Sequence, residues 1–413
     1  MEVGGYHRRL PMESQAMLND RLEMLGDNPF YRLAKLLAGV QPLANEAPLL
    51  MSAGEPQHPP PPLLAETVAR NAHLWGRYPG NEGGPEFRRA VAGWLGRRYG
   101  LPDGMIDPDR QVLPLSGTKE GLYLLAQVAV PQAKNGRPPT VLLPNPYYHV
   151  YSAAAVMAGA EPVFLAATKE TGFLPDLDAI PEEALDRCAL FYLCSPANPQ
   201  GAQADLGYLK RLIGLARRHD FVLVADECYA EIYDETPPAG ALEAAAALGG
   251  ATDHVLVMHS LSKRSSAPGI RCGFVAGCPD LIRLFTRLRS YGGATVPMPL
   301  LAAATELWNE ETHVAENRAL YRQKFDIAER VLGGRFGFYR PPGGFFLWLD
   351  VGDGEDAARR LWADAGVKVV PGGYIAKPNA DGSNIGQSYI RVALVHDADK
   401  VEAGLGRLVR TLS

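Results

Sequence analysis

Ser260-Leu261-Ser262-Lys263 places a lysine beside two hydroxyls, directly after an apolar run at residues 255–259 that reads as a buried strand. A lysine at a desolvated strand end loses proton affinity and can form a Schiff base with an aldehyde cofactor. In a solvated loop the same lysine would be an ordinary surface charge. Arg271 follows in Gly269-Ile270-Arg271-Cys272-Gly273, and with Ser260 and Ser262 it could bind a cofactor's phosphate. Ser116-Gly117-Thr118-Lys119 joins a strand end to a helix start, where free N–H groups and the helix dipole favour an anion. A plain capped turn has the same composition. Asp226 emerges from the apolar run 221–225, and a buried carboxylate needs a cationic partner, such as a protonated pyridine nitrogen. Its other reading is a helix cap. Tyr229, three residues on, could reach the phenolic side of the same ring.

These residues need elements to hold them. Short apolar runs at 111–115, 141–143, 189–194, 221–225 and 255–259 each end in a polar cluster and lead into a longer helical stretch. That alternation predicts an α/β fold with a mostly parallel sheet, and in such sheets the chemistry collects at the carboxyl ends of the strands. Beyond about residue 295 the pattern changes. Residues 300–330 read as one long helix, and 343–349, 367–370 and 389–395 read as strands of a smaller α+β unit. We expect a large domain over 61–295, a small one over 296–413, and residues 1–60 packed with the small one.

Composition narrows the classes. The 413 residues carry a net charge of −5, with no basic footprint for nucleic acid. Five cysteines, at 188, 194, 228, 272 and 278, show no C-x-x-C spacing. Neither a disulfide scaffold nor a metal site is expected, and a reduced, cytoplasmic setting fits. Residues 1–17 lack the apolar core of a signal peptide, and Met17 is itself a possible start. The stretch 141–160, free of Asp, Glu, Lys and Arg, reads as strand, turn and helix rather than a membrane span. No G-x-G-x-x-G follows an early strand, which sets a nicotinamide dehydrogenase aside. The 43 glycines and 34 prolines mark many turns.

Taken in order, the motifs resemble the class I/II aminotransferases among fold-type I pyridoxal-phosphate enzymes. The residues that carry the resemblance are Tyr78 in Tyr78-Pro79-Gly80-Asn81-Glu82-Gly83-Gly84, Gly117-Thr118-Lys119, Tyr148 in Asn145-Pro146-Tyr147-Tyr148 and Asn198-Pro199-Gln200-Gly201. Asp226 with Tyr229, Ser260 with Lys263, Arg271 and Arg391 complete the set. The resemblance implies an aspartate-aminotransferase-like fold: a seven-stranded, mostly parallel sheet between helices, plus a smaller α+β domain. It implies that Lys263 holds pyridoxal 5'-phosphate and moves the proton, and that Asp226 partners the pyridine nitrogen. Asn198 and Tyr229 would donate to the ring oxygen, and Tyr148 would stack on the ring. Gly117, Thr118, Lys119, Ser260 and Arg271 would cradle the phosphate. Tyr78 would reach the neighbouring subunit's phosphate, which implies a homodimer with shared active sites. Arg391 would clamp the α-carboxylate of amino-acid and 2-oxo-acid substrates, with Gly54 and Asn198 beside it. Gln200 stands where such enzymes often carry Thr.

Asn28-Pro29-Phe30-Tyr31-Arg32-Leu33, Gly54-Glu55-Pro56-Gln57-His58-Pro59, Asp226-Glu227-Cys228-Tyr229-Ala230-Glu231-Ile232-Tyr233 and His259-Ser260-Leu261-Ser262-Lys263-Arg264-Ser265 are similar to bacterial N-succinyldiaminopimelate aminotransferases. That resemblance implies transfer between glutamate and N-succinyl-2-amino-6-oxopimelate. Arg32, Arg77 and Arg264 are candidates to read the extra carboxylates. The alternatives are another class I/II aminotransferase (for aspartate, alanine or aromatic amino acids), a lyase on the same cofactor, or a non-enzymatic regulator domain.

Overall fold

In the computed structural model, residues 19–42 and 47–413 are described; the expectations for residues 1–18 lie outside them. The described strands form three sheets. The first strand, β1 (Leu49–Leu50), belongs to the smallest of these. The next seven build the central sheet: β2 (Val112–Leu115), β3 (Thr140–Asn145), β4 (Glu161–Ala166), β5 (Cys188–Cys194), β6 (Val222–Asp226), β7 (Val255–Ser260) and β8 (Gly273–Gly277). Their order is β2-β8-β7-β6-β5-β3-β4. Strand β8 runs antiparallel to both of its neighbours, while the β3–β4, β3–β5, β5–β6 and β6–β7 pairs are parallel. The sheet is therefore mixed but mostly parallel, as expected.

Both faces are covered, which is why these runs are continuously apolar rather than alternating. Along β5, Phe191 and Leu193 join one core while Leu190 and Tyr192 join the other. The helices Pro85–Tyr99, Leu206–His219 and Met298–Asn309 pack on the first face, and Thr118–Ala129, His149–Met157 and Pro279–Arg289 on the second. Asn145, Cys194, Asp226 and Ser260, the last residues of four parallel strands, thus share one edge.

The remaining strands are β9 (Phe346–Asp350), β10 (Val367–Lys368), β11 (Val370–Pro371) and β12 (Tyr389–Ala393). The run read as one strand at 367–370 is divided: β10 pairs with β1, whereas β11 joins the antiparallel sheet β11-β12-β9. A separate core, containing Met51, Phe325, Leu361 and Leu405, ties these strands to the helices Thr312–Leu332, Gly354–Ala365 and Ala398–Leu412. Met298–Asn309, beyond residue 295, packs on the large core.

Residues 300–330 are not one helix, contrary to the expectation. Met298–Asn309 ends at Glu310, whose backbone is extended, and Thr312–Leu332 begins anew. The Glu310 carboxylate accepts from the N–H groups of Thr312 (2.6 Å) and His313 (3.1 Å). Arg264, only 2% exposed, donates to the carbonyls of Leu307 (2.6 Å) and Glu310 (3.2 Å) and to Glu311 Oε1 (2.6 Å). Helix ends leave such groups unpaired, and this buried guanidinium together with Glu310 satisfies them. No helix among the described residues is long and apolar enough to cross a membrane.

Candidate active site

The shared strand edge opens into a cavity of about 410 Å³. Of the residues singled out from the sequence, Gly54, Thr118, Lys119, Tyr148, Asn198, Asp226, Tyr229, Ser260, Lys263, Arg271 and Arg391 line it, and Ser262 joins them. Gly117 lies just behind, at the start of Thr118–Ala129. Its φ is +83° and a Cβ there would lie 2.3 Å from Arg271 Nη2, so only glycine lets the guanidinium approach. Tyr78 is fully exposed and does not line its own chain's cavity.

Lys263 sits in the short helix Leu261–Arg264, whose N-cap Ser260 accepts from Ser262 N at 3.1 Å. The Ser260 and Ser262 hydroxyls lie 2.9 Å apart. Lys263 Nζ donates to the Gly54 carbonyl. Burial lowers its pKa to about 8, well under the usual lysine value. Asp226 closes β6 and is itself buried, which raises its pKa. Tyr151 Oη donates to Asp226 Oδ2 at 2.6 Å and Cys228 N donates to Oδ1 at 3.3 Å, both favouring the ionised form. Among the described residues no basic side chain is bonded to the carboxylate, so a cation arriving in the cavity would find a partner.

Arg391, on β12, is buried among Phe346, Asn198 and Ser52. Its Nη1 donates to Asn198 Oδ1 (3.1 Å) and its Nη2 to Ser52 O (2.8 Å), and its carbon centre lies 4.3 Å from the Phe346 ring centroid. Its Nε is buried and has no hydrogen-bond partner among the described residues. Burial lowers the Arg391 pKa to about 10. Burial raises the phenol pKa values of Tyr148 and Tyr229, which keeps both rings as neutral donors.

Several lining residues were given no role from the sequence. Tyr151 lies one helical turn beyond Tyr148, a spacing that places both on one face, and its ring stacks on Tyr192 at 4.7 Å. Cys228 Sγ lies 3.0 Å from Thr118 Oγ1. Asn28, Pro29 and Phe30 roof the cavity from the start of the helix Pro29–Leu36, and Asn28 Nδ2 reaches His149 Nε2 at 3.4 Å. Burial and the nearby Lys119 and Arg391 lower the His149 pKa to about 4, so the ring is neutral. Of the three further arginines, Arg264 is committed to the helix break, Arg32 stacks over Tyr374 at 3.9 Å, and Arg77 does not line the cavity. Gln200 is buried, and its Nε2 donates to Ala167 O at 3.3 Å.

Comparison with known proteins gives the family. The family model "Aminotransferase class I and II" matches residues 47–408. The chain is 30% identical over 400 residues to the LL-diaminopimelate aminotransferase of Dehalococcoides mccartyi, covering 95% of this chain and 98% of that one. Among solved structures it is similar to an aminotransferase from Neisseria meningitidis, at a TM-score of 0.90 and 35% identity over 96% of this chain and all of that one. A probable N-succinyldiaminopimelate aminotransferase from Thermus thermophilus matches at a TM-score of 0.80 and 25% identity, over 93% and 100% of the two chains.

The cavity's donor set fits pyridoxal phosphate. A buried amine of lowered pKa, an ionisable carboxylate without a basic partner, and serine hydroxyls with Arg271 beside a helix N-terminus match its aldehyde, ring nitrogen and phosphate respectively. With its aspartate-aminotransferase-like sheet and this family match, the chain belongs to the class I and II aminotransferases and is a pyridoxal-phosphate-dependent transaminase.

Proposed function

We propose that the enzyme transfers an amino group between glutamate and N-succinyl-2-amino-6-oxopimelate, a step toward diaminopimelate and lysine, by a ping-pong sequence in a homodimer. Its likeness to an LL-diaminopimelate aminotransferase and to a probable N-succinyldiaminopimelate aminotransferase supports the pathway. The observation that supports the reaction type is the buried Arg391 guanidinium, bonded to no carboxylate among the described residues and lining the same cavity as Lys263. A buried guanidinium with a free donor calls for a carboxylate. Holding the α-carboxylate there leaves it intact, which favours transamination over decarboxylation.

Pyridoxal phosphate, when bound, supplies the electron sink that makes the Cα proton removable. The protein does the rest. Arg391 grips the α-carboxylate through its planar fork. Asn198, anchored by Arg391, would offer its amide NH2 to the cofactor ring oxygen, with Tyr229 as a second donor. Asp226, steadied by Tyr151, would pair with the ring nitrogen. Ser260, Arg271 and the N–H groups of Thr118 and Lys119 would hold the phosphate, and Tyr148 would stack on the ring. Lys263 Nζ, with its low proton affinity, accepts and returns the proton. Lys119 is the remaining cation on the cavity wall and suits a distal carboxylate.

A panel of 2-oxo acids offered to the glutamate-treated enzyme tests the substrate. The succinylated pimelate is expected to turn over fastest; preference for an aromatic or short acid would overturn that choice. Lys263→Ala is expected to remove the visible band of the bound cofactor and about 10⁴-fold or more of kcat. Normal turnover in that variant would sink the assignment of Lys263.

A further inference from the structure

Beneath the cavity lies a polar cluster outside the set described so far. His58, Asn317 and Lys324 are all buried, Lys324 being only 1% exposed. Asn317 and Lys324 are seven residues apart on Thr312–Leu332, two turns along the same face. His58 comes from the segment that carries Gly54.

The hydrogen bonds have one consistent direction. Asn317 Nδ2 donates to the carbonyls of Lys263 (3.1 Å) and Arg264 (3.3 Å). Its NH2 is thereby used, so Oδ1 faces His58 Nδ1 at 3.1 Å and must accept from it. With the proton on Nδ1, His58 Nε2 is an acceptor for Lys324 Nζ at 2.7 Å. Lys324 also donates to Leu394 O at 3.0 Å. Burial, and then the neighbouring Lys324, lower the His58 pKa, which favours that neutral tautomer. Burial likewise brings the Lys324 pKa to about 7. Ser266 Oγ donates to His58 O at 2.8 Å.

Lys263 is thus held at both ends by one short segment. Its Nζ donates to Gly54 O, and four residues further on His58 reaches its backbone carbonyl through Asn317. We propose that His58, Asn317 and Lys324 form a buried positioning relay that fixes the Lys263 backbone against the Gly54–His58 segment, so that Nζ is aimed for proton transfer. The proposal rests on the reading of Lys263 as the lysine that holds the cofactor. A buried lysine is costly unless its ammonium is bonded, and a purely supporting role would be filled as well by apolar packing. None of the three residues lines the cavity, so they act through Lys263.

The test uses the holoenzyme and the variants Asn317→Leu, His58→Phe, His58→Asn and Lys324→Met. Loss of aim in a catalytic group costs up to about a hundredfold in rate. Asn317→Leu and His58→Phe are expected to lower kcat about ten- to a hundredfold. KM for glutamate should stay within about threefold, because Arg391 still binds the carboxylate. The pH midpoint of the visible cofactor band should shift in both. Asn at 58 keeps an N–H near the Nδ1 position, so His58→Asn should recover much of the loss, and Lys324→Met should fall between. Borohydride reduction followed by peptide mapping is run on every variant. Label at Lys263 throughout, with kcat and the band midpoint unchanged in Asn317→Leu and His58→Phe, overturns the relay. Failure of His58→Asn to improve on His58→Phe also counts against it. Wild-type enzyme without label at Lys263 overturns the underlying assignment instead. If a variant folds poorly, the band midpoint and single-turnover rate of its cofactor-loaded fraction decide.

Discussion

Arg391 Nη1 donates to Asn198 Oδ1 at 3.1 Å, joining a strand of the small sheet to the loop after β5 across 193 positions of sequence. An arginine can only donate, so this bond settles which end of the Asn198 amide faces it and leaves Nδ2 to donate elsewhere. On the proposed roles, the clamp for the carboxylate and a donor to the cofactor ring would therefore be one mechanical unit.

Arg391→Lys breaks that unit. Lysine lacks the planar fork and cannot hold Asn198, Ser52 and a carboxylate together. The expected result is a fall in kcat/KM for glutamate of about a hundredfold or more, with the visible cofactor band retained. Steady-state kinetics with spectra of the same preparation check both parts.

Lys263 gives a pH prediction. Its pKa is depressed to about 8 in the cofactor-free protein, so below that value Nζ is protonated and not nucleophilic. The rate of recombination with pyridoxal phosphate should climb about tenfold per unit toward pH 8 and then level off. Stopped-flow absorbance on cofactor-free protein reads this directly; a rise continuing to pH 10 would show that burial does not tune the amine.

Tyr151→Phe removes the 2.6 Å hydrogen bond to Asp226 while keeping the ring on Tyr192. Urea unfolding of the cofactor-free protein should show a loss of about 1–3 kcal/mol. Cofactor affinity should also fall, measured by equilibrium dialysis, because the carboxylate is less well held.

Tyr78 tests the dimer. It is fully exposed on the single chain, so a role at a phosphate requires a second copy. Tyr78→Ala and Lys263→Ala homodimers, mixed under subunit exchange, should regain activity. One site of each hybrid then combines an intact Lys263 with the other chain's intact Tyr78. No recovery despite exchange, followed by mass spectrometry, would place Tyr78 outside the partner's site.

The legible part of this protein was local. Apolar runs ending in Ser116, Asn145, Asp226 and Ser260 read as strand ends because sheet burial demands continuous apolar residues, and polar side chains appear where the backbone emerges. Lys263 stands out for the same reason, just beyond the end of β7. The break at Glu310 escaped notice because helix propensity continues across it. Arg264, 46 residues earlier, supplies the bond to the Glu310 carbonyl that the broken ladder leaves over.

By itself the sequence determined the alternation of strands and helices and the chemical types gathered at their ends. Both depend on residues within a few positions of one another. The tertiary structure alone decided that Arg391 meets Asn198, that Tyr151 bonds to Asp226, and that Lys324 reaches Lys263 through His58 and Asn317. It also decided the low proton affinity of Lys263, since that comes from desolvation by segments far away in sequence. Contacts and burial of this kind arise only when separate elements pack, and no local pattern records which distant side chain will fill a given space.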